Sequence, residues 1–80
     1  MGEVLPFKNI GMFLEEAVTF AGSHRGSVTL AYKVDQSTGN EIWFGVVAFI
    51  KDDQEIKKTF TNGSFNDTVL EISRFVKNAA

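Results

Sequence analysis

Apolar residues follow two different periods along this chain, and the switches between them divide it into five segments. Between Asn9 and Ala21 they recur at Ile10, Phe13, Leu14, Ala17, Val18 and Ala21, steps of three and four that gather them on one stripe of a helix. Asn9 is placed to cap the helix start and Gly22 to end it, with Met12 and Phe20 widening the stripe. From about 27 to 35 the pattern alternates, with Val28, Leu30, Tyr32 and Val34 against Thr29, Ala31 and Lys33, which predicts a half-buried strand. The turn residues Gln36 to Asn40 follow, then a second strand over about 41–50. This strand is apolar on both sides, with Ile42, Phe44, Val46, Ala48 and Ile50 on one and Trp43, Val47 and Phe49 on the other, so it belongs in the centre of a sheet. Lys51-Asp52-Asp53-Gln54 predicts a turn and 55–61 a third strand, with Ile56 and Phe60 inward. Ser64-Phe65-Asn66-Asp67 fits a capping box, and the second helix runs over about 65–78 on the stripe Phe65, Val69, Ile72, Val76 and Ala79.

The predicted fold class is α+β in the order α-β-β-β-α. A three-stranded antiparallel meander carries two helices packed on one face, because each helix has one apolar stripe that needs cover. The expected core face takes the even-numbered residues of all three strands: Val28, Leu30, Tyr32, Val34, Ile42, Phe44, Val46, Ala48, Ile50, Ile56 and Phe60. Trp43, Val47, Phe49 and Ala31 would then lie on the opposite, open face, ringed by Thr29, Lys33, Lys57, Thr59 and Thr61, with Gly45 leaving room for an approaching partner. The competing expectation is that Val4-Leu5-Pro6-Phe7 or a helix covers that face.

The element order is similar to that of double-stranded-RNA-binding domains and of the small Alu-binding subunits of the signal recognition particle. Those domains open their last helix with a lysine cluster. Here the corresponding residues are Ser64-Phe65-Asn66-Asp67-Thr68, so the similarity supports the fold and speaks against duplex-RNA binding.

Composition narrows the chemistry. Eighty residues set an expectation of one domain over 1–80. Eight phenylalanines are more large apolar surface than a small core easily hides. With no cysteine there is no disulfide, thiolate metal ligand or cysteine nucleophile. The net charge is −2, and no block of like charge occurs, which disfavours strong phosphate or anionic-membrane binding. No apolar run spans a bilayer or forms a signal peptide, so the expected location is the cytoplasm.

Candidate chemistry is sparse. The lone His24 stands beside Ser23 and Arg25 in a glycine-bounded loop and reads as a solvated loop histidine, since a general base needs an orienting partner and a nucleophile. Asp52, Asp53 and Glu55 cluster at a turn, where aspartate serves the backbone; they are read as acidic contacts for a basic partner. No phosphate-loop, dinucleotide, zinc-protease or serine-hydrolase spacing occurs. The expectation is therefore a non-enzyme with no catalytic residue, metal, cofactor or small-molecule substrate. It would act as a protein-binding inhibitor or adaptor of a larger machine, of the kind viruses and mobile elements encode, or as a homodimer. The expected partner-binding residues are Trp43, Val47, Phe49, Ala31, Lys33 and Lys57. The alternative is a single-stranded nucleic-acid module that stacks bases on Trp43 and Phe49 and holds phosphates with Lys33 and Lys57.

Overall fold

A computed structural model describes residues 7–79, and all five predicted segments are present in it. Helix α1 is Phe7–Ser23, strands β1, β2 and β3 are Ser27–Val34, Glu41–Lys51 and Gln54–Asn62, and helix α2 is Phe65–Ala79. The strands form an antiparallel meander in the order β1-β2-β3. The helices pack on each other and on one face of the sheet, α1 over β1 and β2, α2 over β2 and β3. The Val4–Pro6 segment and the Phe7 side chain lie outside the described residues.

Both ends of α1 differ from expectation. Asn9 lies inside the first turn of α1, which begins at Phe7. At the other end Gly22 is helical, and closure comes three residues later. The Gly26 N–H donates to the Ala21 carbonyl at 2.7 Å and the Arg25 N–H to the Gly22 carbonyl at 3.4 Å, the paired bonds of a Schellman motif. That motif needs a left-handed residue, and Arg25 supplies it at φ 59°. The glycine is displaced by one position because Gly26 must pass under β2: a Cβ there would stand 1.8 Å from the Ala48 carbonyl oxygen.

The phase of β2 is the main correction. Residues directly opposite in an antiparallel pair share a face. Val28 pairs with Val47, Leu30 with Gly45 and Tyr32 with Trp43. Across the other hairpin, Gly45 pairs with Phe60 and Phe49 with Ile56. The helix-covered face therefore joins even-numbered residues of β1 and β3 to odd-numbered residues of β2. Loop length is the cause. Residues 35–40 put Val34 opposite Glu41, and the two-residue turn Asp52-Asp53 puts Lys51 opposite Gln54. Each connection is even in length, so each reverses the parity.

The core follows from that register. Val47, Phe49, Phe60, Ile72, Val76 and Ala17 form its centre, with Val28, Leu30, Ile56, Phe20 and Phe75 packed around it. Aromatic rings gather at both ends of this layer. At one end Phe49 meets Phe20 edge-on at 5.1 Å and Phe75 at 6.1 Å, while Phe60 meets Phe75 at 5.8 Å. At the other, Trp43 lies between Tyr32 at 4.7 Å and Phe65 at 5.1 Å. Between the two clusters α2 drops onto the sheet at Gly45, where a Cβ would stand 2.7 Å from Ile72 Cδ1 and 3.1 Å from Thr68 Cγ2. Gly45 thus admits the chain's own helix, in place of the expected partner. The start of α2 shows the serine half of the expected capping box: Ser64 Oγ accepts the Asp67 N–H at 3.2 Å, and in place of a return bond from Asp67 the buried Thr68 hydroxyl donates to the Ser64 carbonyl at 2.8 Å.

Candidate functional site: the open face of the sheet

Among the described residues one face of the sheet carries no helix, and its composition follows from the register. Along β2 it presents Ile42, Phe44, Val46, Ala48 and Ile50. Opposite them β1 contributes Lys33, Ala31, Thr29 and Ser27, and β3 contributes Thr61, Thr59, Lys57 and Glu55. A continuous apolar row thus runs along the central strand with threonines and lysines on both sides. Ile50 is 39% exposed, and Ile42, Phe44, Val46 and Ala48 are half-buried, on the side of the sheet away from both helices of the described residues. Lys33 extends across the row and brings its ammonium to 5.9 Å from the centre of the Phe44 ring. Two lysines against one glutamate make this face positive, on a chain whose total charge is −2.

The expected site residues divide accordingly. Ala31, Lys33 and Lys57 are on the open face and exposed, as are Thr29, Thr59 and Thr61. Val47 and Phe49 are instead 0% and 1% exposed beneath the helices, and Trp43 is clasped by Tyr32 and Phe65 on that covered side. Phe44 and Val46, assigned to the core by the sequence reading, occupy the places expected for Trp43, Val47 and Phe49. The even length of both turns fixes their place, and it was missed because Asp35 was read as the end of β1, which leaves a five-residue turn. Base stacking on Trp43 and Phe49 loses its geometry by the same correction, since Phe49 has no free ring face.

The acidic trio sits where the sequence put it, for a local reason. Asp52 and Asp53 have φ of 54° and 63°, so both central residues of the β2–β3 turn are left-handed, as a mirror-type two-residue hairpin requires. Aspartate tolerates this better than most residues. Glu55, next along β3, faces the open side opposite Ile50.

Other polar groups are tied into the frame. His24 is only half-exposed, not the free loop residue expected. Its Nδ1 lies 2.8 Å from the Phe20 carbonyl and its ring stacks on Phe20 at 4.2 Å, while its own carbonyl accepts the Ile50 N–H at 2.8 Å. It therefore closes α1 against β2. A shallow groove of about 590 Å³ lies between the β1–β2 turn and the end of β3, lined among others by Asp35, Glu41 and Asn62. Its carboxylates are engaged. Asp35 accepts the Ser37 hydroxyl at 2.7 Å and the Ser37 N–H at 2.9 Å, and these bonds hold its pKa below the ordinary carboxylate value. Glu41 accepts the Tyr32 phenol at 3.2 Å; partial desolvation first, and that carboxylate second, raise the Tyr32 pKa. Among the described residues no cluster of three or more metal-ligating acids or histidines occurs, and no helix is long and apolar enough to cross a membrane.

Compared with known proteins, the chain matches no family model, no curated protein and no solved structure.

Proposed function

We propose that this protein is a non-enzymatic binding module that docks another protein on the open face of its sheet. The observation that carries the reading is the row Ile42, Phe44, Val46, Ala48 and Ile50 on the eleven-residue β2, rimmed by threonine and lysine and covered by neither helix of the described residues. A contiguous apolar strip with a polar rim is the composition of an interaction surface. Desolvating the Phe44 ring and the aliphatic row supplies the affinity, while Lys33, Lys57 and Glu55 set orientation. The action is steric, that of an inhibitor or adaptor of a larger assembly, and the cysteine-free composition is compatible with the cytoplasm. Asp52 and Asp53 project at the tip of the β2–β3 hairpin, where they can meet a basic rim on the partner.

The test uses wild type and Phe44→Glu as baits in an affinity capture, with circular dichroism showing that the variant is folded. Proteins retained by wild type and lost by the variant are the expected result. Identical captures by the two baits would remove the open face from consideration.

A further inference from the structure

The two edges of the sheet are built differently, and the difference points to a second surface. Edge β3 carries Glu55, Lys57 and Lys58 within one nine-residue strand. Charges along an edge, lysine above all, are how a sheet discourages further strand pairing. Edge β1 reads Ser27-Val28-Thr29-Leu30-Ala31-Tyr32-Lys33-Val34, with a single charge near its end. Its pairing with β2 is continuous over eight residues without a bulge. Two of the exposed large apolar residues, Tyr32 at 48% and Val34 at 46%, are on this strand. A third, Val18 at 48%, is on α1 above it. The flank of α1 that meets α2 is marked by Glu16, beside Ser73 and Lys77. Glu16 and Val18 stand about 100° to either side of Ala17 round the helix, so Val18 is on the flank turned away from α2, over the β1 edge.

We infer that β1 pairs with β1 of a second copy of this chain, antiparallel, about a two-fold axis through Ala31 and perpendicular to the sheet. The sequence of β1 is self-complementary in that register. On the helix side Val28 meets the partner copy's Val34 and Leu30 its Tyr32, so all four apolar residues are matched. On the open side Ala31 meets Ala31 and Thr29 meets Lys33, and no like charges are opposed. The same axis turns the Val18 flanks of the two α1 helices towards each other. A seam about 26 Å long and two layers, roughly 20 Å, deep gives about 500 Å² per copy, near the 1,000 Å² in total that a specific interface needs. The product is a six-stranded sheet in which the two open faces join into one platform.

The chain has no cysteine, so one introduced thiol reports the axis without interference. Sedimentation of wild type should give twice 8.9 kDa at micromolar concentration. Ala31→Cys, at an exposed position, should be cross-linked to dimer by a short bifunctional thiol reagent, whereas Thr59→Cys on the guarded edge should not. Ala31→Lys sets two lysines face to face and should weaken the dimer at least tenfold. A wild type that stays at 8.9 kDa up to about 100 μM, or a dimer that Ala31→Lys leaves intact, overturns the proposal. Both results are independent of partner capture through Phe44.

Discussion

The two faces of the sheet share one central strand yet meet different conditions. On one side Trp43, Gly45, Val47 and Phe49 are pressed under two helices; on the other Ile42, Phe44, Val46 and Ala48 are flanked by the short and polar residues Ser27, Thr29, Ala31, Lys33, Lys57, Thr59 and Thr61. The residue types are nearly interchangeable, so composition does not decide which side is covered. Two features do. Gly45 lets α2 approach where any larger residue would strike Ile72 and Thr68. On the covered side β1 brings Val28, Leu30, Tyr32 and Val34 and β3 brings Ile56 and Phe60, while the open side of both strands carries mostly threonine and lysine, so the flanking strands declare the core even though β2 does not. A phenylalanine on the covered face is held in the core, whereas Phe44 on the open face is only half-buried.

That contrast can be tested residue by residue. Phe49→Ala should cost about 3–5 kcal/mol in urea denaturation, whereas Phe44→Ala should cost about 1 kcal/mol or less, since no helix closes over it. Equal losses would mean that something covers the open face. Gly45→Ala should destabilise by about 1–3 kcal/mol through overpacking against α2, while Ala48→Gly, on the other face, should cost about 1 kcal/mol of strand propensity. Asp53→Gly relieves a left-handed side-chain residue at a turn that serves both faces, and should raise the denaturation midpoint by about 0.5 kcal/mol equivalent. The smallest effect belongs to Asp35. Its pKa is lowered in the fold, so its contribution is present above the ordinary carboxylate pKa and fades as pH falls through the folded value. Asp35→Asn should therefore flatten the acid limb of a stability-versus-pH curve below about pH 4, and an unchanged limb would show that the Ser37 bonds do not persist in solution.

Element order, the meander and the one-sided helices were legible because the periods are long and clean and each helix has a single stripe. The Ser64 N-cap was legible because it is a local pattern. The sheet phase was not. The phase of β2 depends on the number of residues in each turn, and β2, apolar on both sides, offers no polar side to expose a mistake. Trp43, Val47 and Phe49 were consequently read on the wrong face, while Ala31, Lys33 and Lys57, on strands with one polar side, were read correctly. His24 failed for another reason: its carbonyl and ring contacts join α1 to β2, and such pairings leave no trace in nearby sequence.

A central strand that is greasy on both sides also shapes how the chain reaches this structure. If β2 docks one residue out of register, Ile42, Phe44, Val46 and Ala48 go beneath the helices and about the same hydrocarbon area leaves water. The slipped hairpin is a compact competitor, rejected by the rigid closure of the Asp52-Asp53 turn and by the loss of Gly45 from beneath α2. A change of one residue in the length of either turn would therefore turn the opposite side of β2 towards the helices.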